Sequence, residues 1–266
     1  MTTTRTERTV NYVVLILFAL QALIPVLYVV FLALSSETIG DASWGHLENF
    51  ATAWEQGHFP QYMTNSVLVA VLVVCLALVL SLMSGYVLGI LRPRGADLIF
   101  YVFLIGIMVP SEAIVLPLFF DMRDLGLTDT IWAVALPQTA QSLAFGTFWM
   151  RAFFRGVDPA ILEAARIDGA TGARLFFRVT LPMISPAVFF ATVMTMIGSL
   201  QVFAQPQLLT GGGPGNSTQP IVQFIYNNGF RFQDLGLAAA AAWILFAVII
   251  VLTALQFQAQ KKWVHY

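Results

Sequence analysis

Long apolar runs, separated by short polar stretches, make up most of the chain. A helix needs about 20 apolar residues to cross the roughly 30 Å hydrocarbon layer of a bilayer. Six runs reach this length, at residues 12–34, 64–91, 98–120, 131–154, 185–207 and 237–259. The polar connections are too short to hold another domain. The pattern therefore predicts one all-α integral membrane domain over 1–266, with six transmembrane helices.

The composition supports lipid as the surroundings of this domain. Hydrophobic residues are 58% of the chain, charged residues are 10%, and the mean hydropathy is +0.79. Soluble proteins average roughly 45–50% apolar and about 25% charged residues. A formal net charge of −1 gives no indication of nucleic-acid binding. The single cysteine, Cys75, lies in an apolar run and is interpreted as a packing residue.

The basic residues predict how the helices are oriented. An even number of spans places both termini on one side of the membrane. With the termini in the cytoplasm, 11 of the 13 basic residues are cytoplasmic, and only Arg123 and Arg231 face outward. Cytoplasmic loops of membrane proteins carry an excess of Lys and Arg. We therefore expect both termini, and the 155–185 loop between helices 4 and 5, to be cytoplasmic.

Prolines and small residues predict how the spans bend and pack. A proline inside a helix removes a backbone hydrogen bond and kinks or interrupts the helix. Ser81, Gly85 and Gly89 recur every four residues, so they form one small-residue face that favours close helix packing. The prolines expected to bend or break spans are Pro110, Pro117, Pro137 and Pro206.

The 155–185 loop has the signals of two helices joined by a glycine turn. Asp158 is a suitable N-cap and Pro159 a suitable first helical residue. Gly169 follows the first helix at the position where a left-handed glycine commonly ends one. Thr171 is placed to cap the second helix. We expect a short first helix that lies along the membrane surface.

One side of this short helix is expected to be small and nearly flat, with acidic groups beside it. Such a surface allows the backbone of a partner to approach closely. The alternative is an amphipathic surface loop whose charges meet only water and lipid headgroups. The small residues are Ala164, Ala165, Gly169 and Ala170, and the acids are Glu163 and Asp168.

The loop resembles the signature EAA-x3-G-x9-I-x-LP of the membrane-spanning subunits of binding-protein-dependent ABC importers. The match runs through 163–170 and 179–182, with Val179 where isoleucine is usual. The resemblance implies that Glu163, Ala164, Ala165 and Gly169 sit in a cleft of a separate ATPase subunit. Closure of an ATPase dimer would then switch the helices between inward-open and outward-open states.

Two further segments are similar to the carbohydrate branch of these importers, at 108–130 and 209–236. This resemblance implies a permease subunit in a bacterial-type inner membrane that imports a mono- or oligosaccharide or a related polyol. It also implies three partners: an ATP-binding subunit dimer, a second permease subunit (the same chain or another), and an extracytoplasmic solute-binding protein.

Uncharged polar side chains inside the spans are candidates for a substrate pathway, because sugars are bound by hydrogen-bonding groups and aromatic faces. These are Gln138, Gln141, Gln201 and Gln205, with Phe203 beside the last two. Gln201 and Gln205 are four residues apart, so they are expected to share one helix face. The alternative role is hydrogen bonding between helices.

No ATPase site is predicted in this chain. A P-loop requires a lysine directly after its glycines, but both lysines, Lys261 and Lys262, are near the C-terminus, and the glycine-rich segment 211–215 has none. ATP and magnesium would therefore be bound by the partner. No catalytic residue, metal site or cofactor of the chain itself is predicted.

Glu112 is the one acid well inside a predicted span, and buried ionisable groups in membranes are usually functional. It is therefore a candidate pathway residue, unless it lies in the wet outer half of the helix. A self-contained channel or secondary transporter is the alternative function, but such proteins usually carry several intramembrane charges. A membrane enzyme is a third interpretation, disfavoured because the histidines lie outside the spans, at His46, His58 and His265.

Overall fold

The computed structural model describes residues 4–35, 43–55, 58–213, 215 and 217–264. His265 and position 214 of the glycine-rich segment lie outside these residues. The described chain is helical, and its only extended pairing is an isolated bridge between Ser35 and Trp44.

The helices of the described chain vary from three residues to 29 residues. Four five-residue π-helical segments adjoin them, at Val87–Leu91, Phe176–Thr180, Pro206–Thr210 and Asn227–Arg231. The α-helices are α1 (Arg5–Ala33), α2 (Glu48–Glu55), α3 (Phe59–Tyr86), α4 (Ala96–Met108), α5 (Ser111–Asp124), α6 (Ile131–Gly156), α7 (Pro159–Ile167), α8 (Gly172–Leu175), α9 (Leu181–Met183), α10 (Ser185–Leu200), α11 (Ile221–Tyr226) and α12 (Leu235–Gln260).

Three described helices are each long and apolar enough to cross a membrane: Arg5–Ala33, Phe59–Leu91 and Leu235–Gln260. They correspond to the predicted first, second and sixth spans. Two bent helix pairs raise the number to five if each pair is one span. The chain is thus an all-α protein with several membrane-spanning apolar segments.

The predicted span 98–120 is a bent pair rather than one helix. Helices α4 and α5 meet at an angle of 100°. Val109 has an extended backbone, with φ −74° and ψ 122°, and Pro110 begins the next helix as its N-cap. A residue before proline is disfavoured in the helical region. The sequence therefore located this break correctly, and only its angle was not anticipated.

The predicted span 185–207 is not one continuous helix, and its break lies just before Pro206, one of the prolines expected to break a span. Helix α10 ends at Leu200, and the chain becomes helical again only before Pro206. Pro206 has no N–H to bond a preceding carbonyl, so a helix running through this region would lack a bond there. At its other end, α10 makes an angle of 73° with Gly172–Met183.

The predicted fourth span corresponds to α6, which has spanning length but is not among the apolar helices. Its polar residues include Gln138, Thr139 and Thr147, all buried. Because protein surrounds these positions, α6 need not be apolar like a lipid-facing helix. Its role as a span stays a prediction.

The chain forms two compact units. One contains the described residues of Met1–Phe59 and Phe224–Ala247, and the other contains those of Pro60–Gln223 and Val248–Tyr266. In the first unit, the Asn49 side chain donates to the carbonyl oxygens of Ala33 and Ser35 at 3.1 and 2.9 Å. It thereby satisfies free carbonyls at the end of α1.

The second unit has α6 at its centre, packed against α3, α4 and α10. The small-residue face predicted on α3 makes this contact. A Cβ atom at Gly85 would lie 2.5 Å from the Cβ of Met150, and one at Gly89 would lie 2.6 Å from the Cβ of Phe154. The expectation of close helix packing at this face is confirmed.

Candidate functional site

The predicted surface helix exists as α7, with the expected ends. The Asp158 carboxylate accepts a hydrogen bond from the Ala160 N–H at 2.9 Å, and Pro159 is the first helical residue. Gly169 has φ +84°, and the Ala170 N–H donates to the Ala165 carbonyl at 2.9 Å. Left-handed glycine with such a bond is a usual helix C-terminus.

The second helix of the loop also follows the prediction, with one difference. Thr171 precedes α8, but its side chain makes no capping hydrogen bond. The helix continues through the π-helical Phe176–Thr180 into α9. A π segment widens the backbone by one residue per turn, and such segments are frequent at functional sites.

Most of the residues assigned to partner contact are accessible. Glu163, Ala164, Asp168 and Gly169 are exposed, whereas Ala165 and Ala170 are half-buried. The buried Leu162 anchors the opposite side of α7 to the body of the unit.

Sequence reasoning missed Ile167, which is 86% exposed and is the most exposed large apolar side chain in the described chain. It lies between Arg166 and Asp168, at the last residue of α7. An apolar residue in that position, between two charged neighbours and two residues before the terminal glycine, was the available signal. It adds an apolar contact point to the small flat surface.

Helix α6 connects this loop to the other candidate residues. It ends at Gly156, and only two residues separate it from α7. Gln138 lies 18 positions before Gly156, which corresponds to about 27 Å of helix at 1.5 Å per residue. A displacement of α7 therefore acts directly on one end of a continuous helix.

Two arginines fix that end of α6 to the first turn of α4. Arg151 and Arg155 both donate to the Asp97 carboxylate, Arg155 at 2.9 Å. The guanidinium of Arg151 also lies over the Phe100 ring, 3.7 Å from its centroid. The Arg151 side chain is 10% exposed, so its charge is compensated by one partly exposed carboxylate and one aromatic face.

Three of the four predicted pathway glutamines come together where α10 ends. The Gln205 amide donates to the Gln141 side-chain oxygen at 3.1 Å, and the Gln138 amide lies 3.5 Å from the Gly198 carbonyl. Within the described residues, the side-chain oxygens of Gln138 and Ser199 are buried without a hydrogen-bond partner. The Gln138 oxygen can accept a hydrogen bond from a polar ligand or from water, and the Ser199 hydroxyl can donate or accept one.

The other predicted pathway residues lie elsewhere. Gln201 is exposed at the C-cap of α10, so it does not share a helix face with the buried Gln205, and that expectation was wrong. Phe203 is half-buried between the two helical segments. Glu112 is exposed in the first turn of α5, where the helix dipole favours a negative charge.

A second polar group follows the break in α10. The Thr218 hydroxyl lies 2.8 Å from the Thr210 hydroxyl and 2.7 Å from the Gly213 carbonyl. Nearby, the side-chain oxygens of Gln207 and Gln223 are buried and unpaired within the described chain. Sequence reasoning missed both glutamines, because Gln207 is the last residue of a predicted span and Gln223 lies outside every span. Among the described residues no group of His, Cys, Asp or Glu is arranged for a metal ion.

Known proteins resemble this chain over most of its length. Residues 81–265 match the family of the binding-protein-dependent transport system inner membrane component. The diacetylchitobiose uptake system permease protein NgcG of Streptomyces coelicolor is 33% identical over 207 residues, which are 75% of this chain and 68% of NgcG. The sn-glycerol-3-phosphate transport system permease protein UgpA of Agrobacterium fabrum is 36% identical over 127 residues, 47% of this chain and 43% of UgpA.

The fold is also that of a solved transporter. A chain of a bacterial ABC transporter involved in the import of the acidic polysaccharide alginate superposes with a TM-score of 0.75. The two chains are 20% identical, and the superposition covers 99% of each. Since the family match covers the surface loop, α6 and the glutamine cluster alike, the chain belongs to the family of binding-protein-dependent transport system inner membrane components.

Proposed function

We propose that this chain is the membrane-spanning permease subunit of an ATP-driven importer for a carbohydrate or a related polyol. The substrate is delivered by an extracytoplasmic binding protein and crosses by alternating access. A separate ATPase dimer drives the cycle through α7. The chain contributes no ATPase chemistry of its own; ATP and magnesium are bound by the partner.

The observation that carries this proposal is the exposed surface of α7. A capped helix presents small residues and Glu163 outward, while Leu162 holds the other side against the unit. Glu163 is available to pair with a basic residue of the ATPase. Because α7 is joined to α6 by two residues, ATPase closure would move α6 as a rigid body.

The polar groups near the end of α10 support a neutral, hydroxyl-rich substrate. Gln138, Gln141 and Gln205 offer amide donors and acceptors without charge. The relatives named above handle a chitobiose derivative and glycerol 3-phosphate, according to their names. Carbohydrates and polyols are therefore the substrate class that we propose, with these glutamines and Phe203 along the pathway and Glu112 near its wet outer end.

We further propose six spans with both termini in the cytoplasm of a bacterial inner membrane. The five apolar segments and α6 together supply six. In this orientation α7 faces the cytoplasm, where an ATPase subunit is accessible. A second permease subunit, identical or different, completes the pathway.

The test is a pair of glycine substitutions in the 155–185 loop. Gly169→Asp places a carboxylate on the proposed ATPase surface, at a fixed position of the motif, while Gly172→Asp places one in the variable x9 stretch that follows. Both glycines have positive φ, +84° and +51°, and a Cβ atom added at either would meet open space, with no packing neighbour within 4 Å. The added charge is therefore the same, and neither substitution creates a steric clash.

We expect Gly169→Asp to reach the membrane but to lose substrate uptake and co-purification of the ATPase. Gly172→Asp should retain both. Uptake and ATPase binding by Gly169→Asp at the level of Gly172→Asp would overturn the assignment of α7 as the coupling helix.

A further inference from the structure

A cavity of about 210 Å³ lies beside α7, and it shares Glu163 with the proposed ATPase surface. Its apolar walls include Phe154 from the end of α6 and Leu162 from α7. Its polar lining comes from Arg92, Glu163 and Arg166. The cavity therefore adjoins three elements that meet at one end of the unit: the Val87–Leu91 segment, α6 and α7.

Both arginines of this cavity retain free donors. Arg92 has a left-handed backbone, with φ +45°, and its Nε donates to the Gly89 carbonyl at 2.7 Å. That bond fixes the guanidinium but leaves its two terminal nitrogens available. Within the described residues, neither Arg92 nor Arg166 forms an ion pair, although Glu163 is only three residues from Arg166 on α7.

We infer that this cavity binds the phosphate group of a membrane phospholipid, held by Arg92 and Arg166. This inference rests on the proposed orientation, which places the cavity at the cytoplasmic headgroup layer. Arginine binds phosphate oxygens through two parallel N–H donors. Basic pockets between membrane helices on the cytoplasmic side are typical sites for phospholipid headgroups.

The carboxylate of Glu163 selects among headgroups. A phosphate monoester carries more negative charge next to this carboxylate than a phosphodiester does, and a glycerol hydroxyl beyond the phosphodiester donates a hydrogen bond to the carboxylate. Phosphatidylglycerol carries both groups, a phosphodiester for the arginines and hydroxyls for Glu163. The bound headgroup would join α7 to the ends of α3 and α6, at the point where ATPase movement enters the permease.

The test compares two arginines that are two residues apart. Arg92 and Arg94 are both exposed, but only Arg92 lines the cavity. The intact complex, or the permease as it purifies, is placed in nanodiscs of phosphatidylcholine with a minor fraction of phosphatidylglycerol. Native mass spectrometry then counts the phosphatidylglycerol retained on the permease peak as the membrane is stripped.

We expect wild type and Arg94→Gln to retain one phosphatidylglycerol. The affinity of Arg92→Gln for this lipid should be about fivefold lower, which is the contribution of one basic residue to binding of an anionic membrane surface. Arg166→Gln should show a similar loss, which covers the case in which Arg92→Gln folds poorly. Equal retention by wild type and Arg92→Gln, or equal losses for the Arg92 and Arg94 variants, would overturn the site.

A competition experiment distinguishes a lipid ligand from a soluble phosphate compound. Inorganic phosphate is added at constant ionic strength. We expect it not to displace the retained lipid, and displacement at millimolar concentration would show that a free phosphate compound is the ligand instead. Because lipid retention is read without transport or ATPase binding, failure of this site and failure of the proposed function give different results.

Discussion

Gln201 and Gln205 are four residues apart, yet their surroundings differ completely. Gln205 is 3% exposed and bonds Gln141, whereas Gln201 is exposed at a helix end. Spacing alone predicted a shared face, and it failed because the helix stops at Leu200. By contrast, the Asp158 cap and the Gly169 terminus were predicted correctly, because each depends on the chemistry of a few neighbouring residues. Local signals were reliable here, and helix continuity was not.

The pair Gln141–Gln205 is therefore expected to contribute to stability, and Gln201 is not. In a double-mutant cycle with alanine, the coupling energy between Gln141 and Gln205 should be about 0.6 kcal/mol, the average for hydrogen bonds between membrane helices. The coupling energy is obtained from the unfolding free energies of wild type, the two single variants and the double variant, measured in mild detergent. Gln201→Ala is the control and should leave the unfolding free energy unchanged. A coupling energy of zero would mean that the bond does not form in the membrane protein.

At the scale of elements, the sequence predicted faces and breaks but not partners or angles. Gly85 and Gly89 were recognised as one face of α3, but a small-residue face does not say which helix will cover it. The structure shows that α6 does. Similarly, Pro110 marked the end of α4, but the 100° angle that follows depends on how both helices pack. Such information comes from contacts distant in the sequence.

The α3–α6 contact predicts a difference between two glycine-to-alanine changes. In Gly85→Ala, the new Cβ would lie 2.5 Å from the Cβ of Met150, which cannot move without the backbone. We expect destabilisation of about 1–3 kcal/mol, as overpacking usually costs. In Gly106→Ala, the nearest atom is the Ala144 Cβ at 3.7 Å, an ordinary contact. That variant should be at least as stable as wild type. Equal unfolding temperatures for Gly85→Ala and Gly106→Ala would contradict the packing argument.

The ion pairs between α4 and α6 predict an order of effects. Asp97→Asn leaves the mostly buried Arg151 without a carboxylate and should lower the free energy of unfolding by about 1.5 kcal/mol. This is the low end for hydrogen bonds to charged groups, because the Asp97 side chain is two-thirds exposed. Arg155→Gln should cost less than about 0.5 kcal/mol, because the Arg151–Asp97 pair remains.

Adding Arg151→Met to Asp97→Asn should recover stability, because it removes the uncompensated charge. Thermal denaturation of the four proteins gives the order. If the double variant were less stable than Asp97→Asn alone, contact with the Phe100 ring, and not charge compensation, would account for Arg151.

At the scale of the whole molecule, charge distribution and hydropathy carry different information. Hydropathy treats each segment as if lipid surrounded it, so it does not distinguish α6, whose polar side chains are covered by other helices, from a lipid-facing helix. The positive-inside rule does not depend on packing, and it assigns 11 of 13 basic residues to one side. The sequence therefore predicts an orientation, which stays a prediction, whereas it does not indicate which helix is central.

This orientation predicts which loops an impermeant reagent reaches. Replacing the single cysteine by Cys75→Ser gives a background without thiols. In that background, Leu125→Cys lies between α5 and α6 and Thr171→Cys lies between α7 and α8, both at exposed positions. A membrane-impermeant maleimide should label Leu125→Cys in spheroplasts and Thr171→Cys only in inside-out vesicles. Labelling of Thr171→Cys from the outside would place the 155–185 loop away from any cytoplasmic ATPase, and the coupling role of α7 would fail with it.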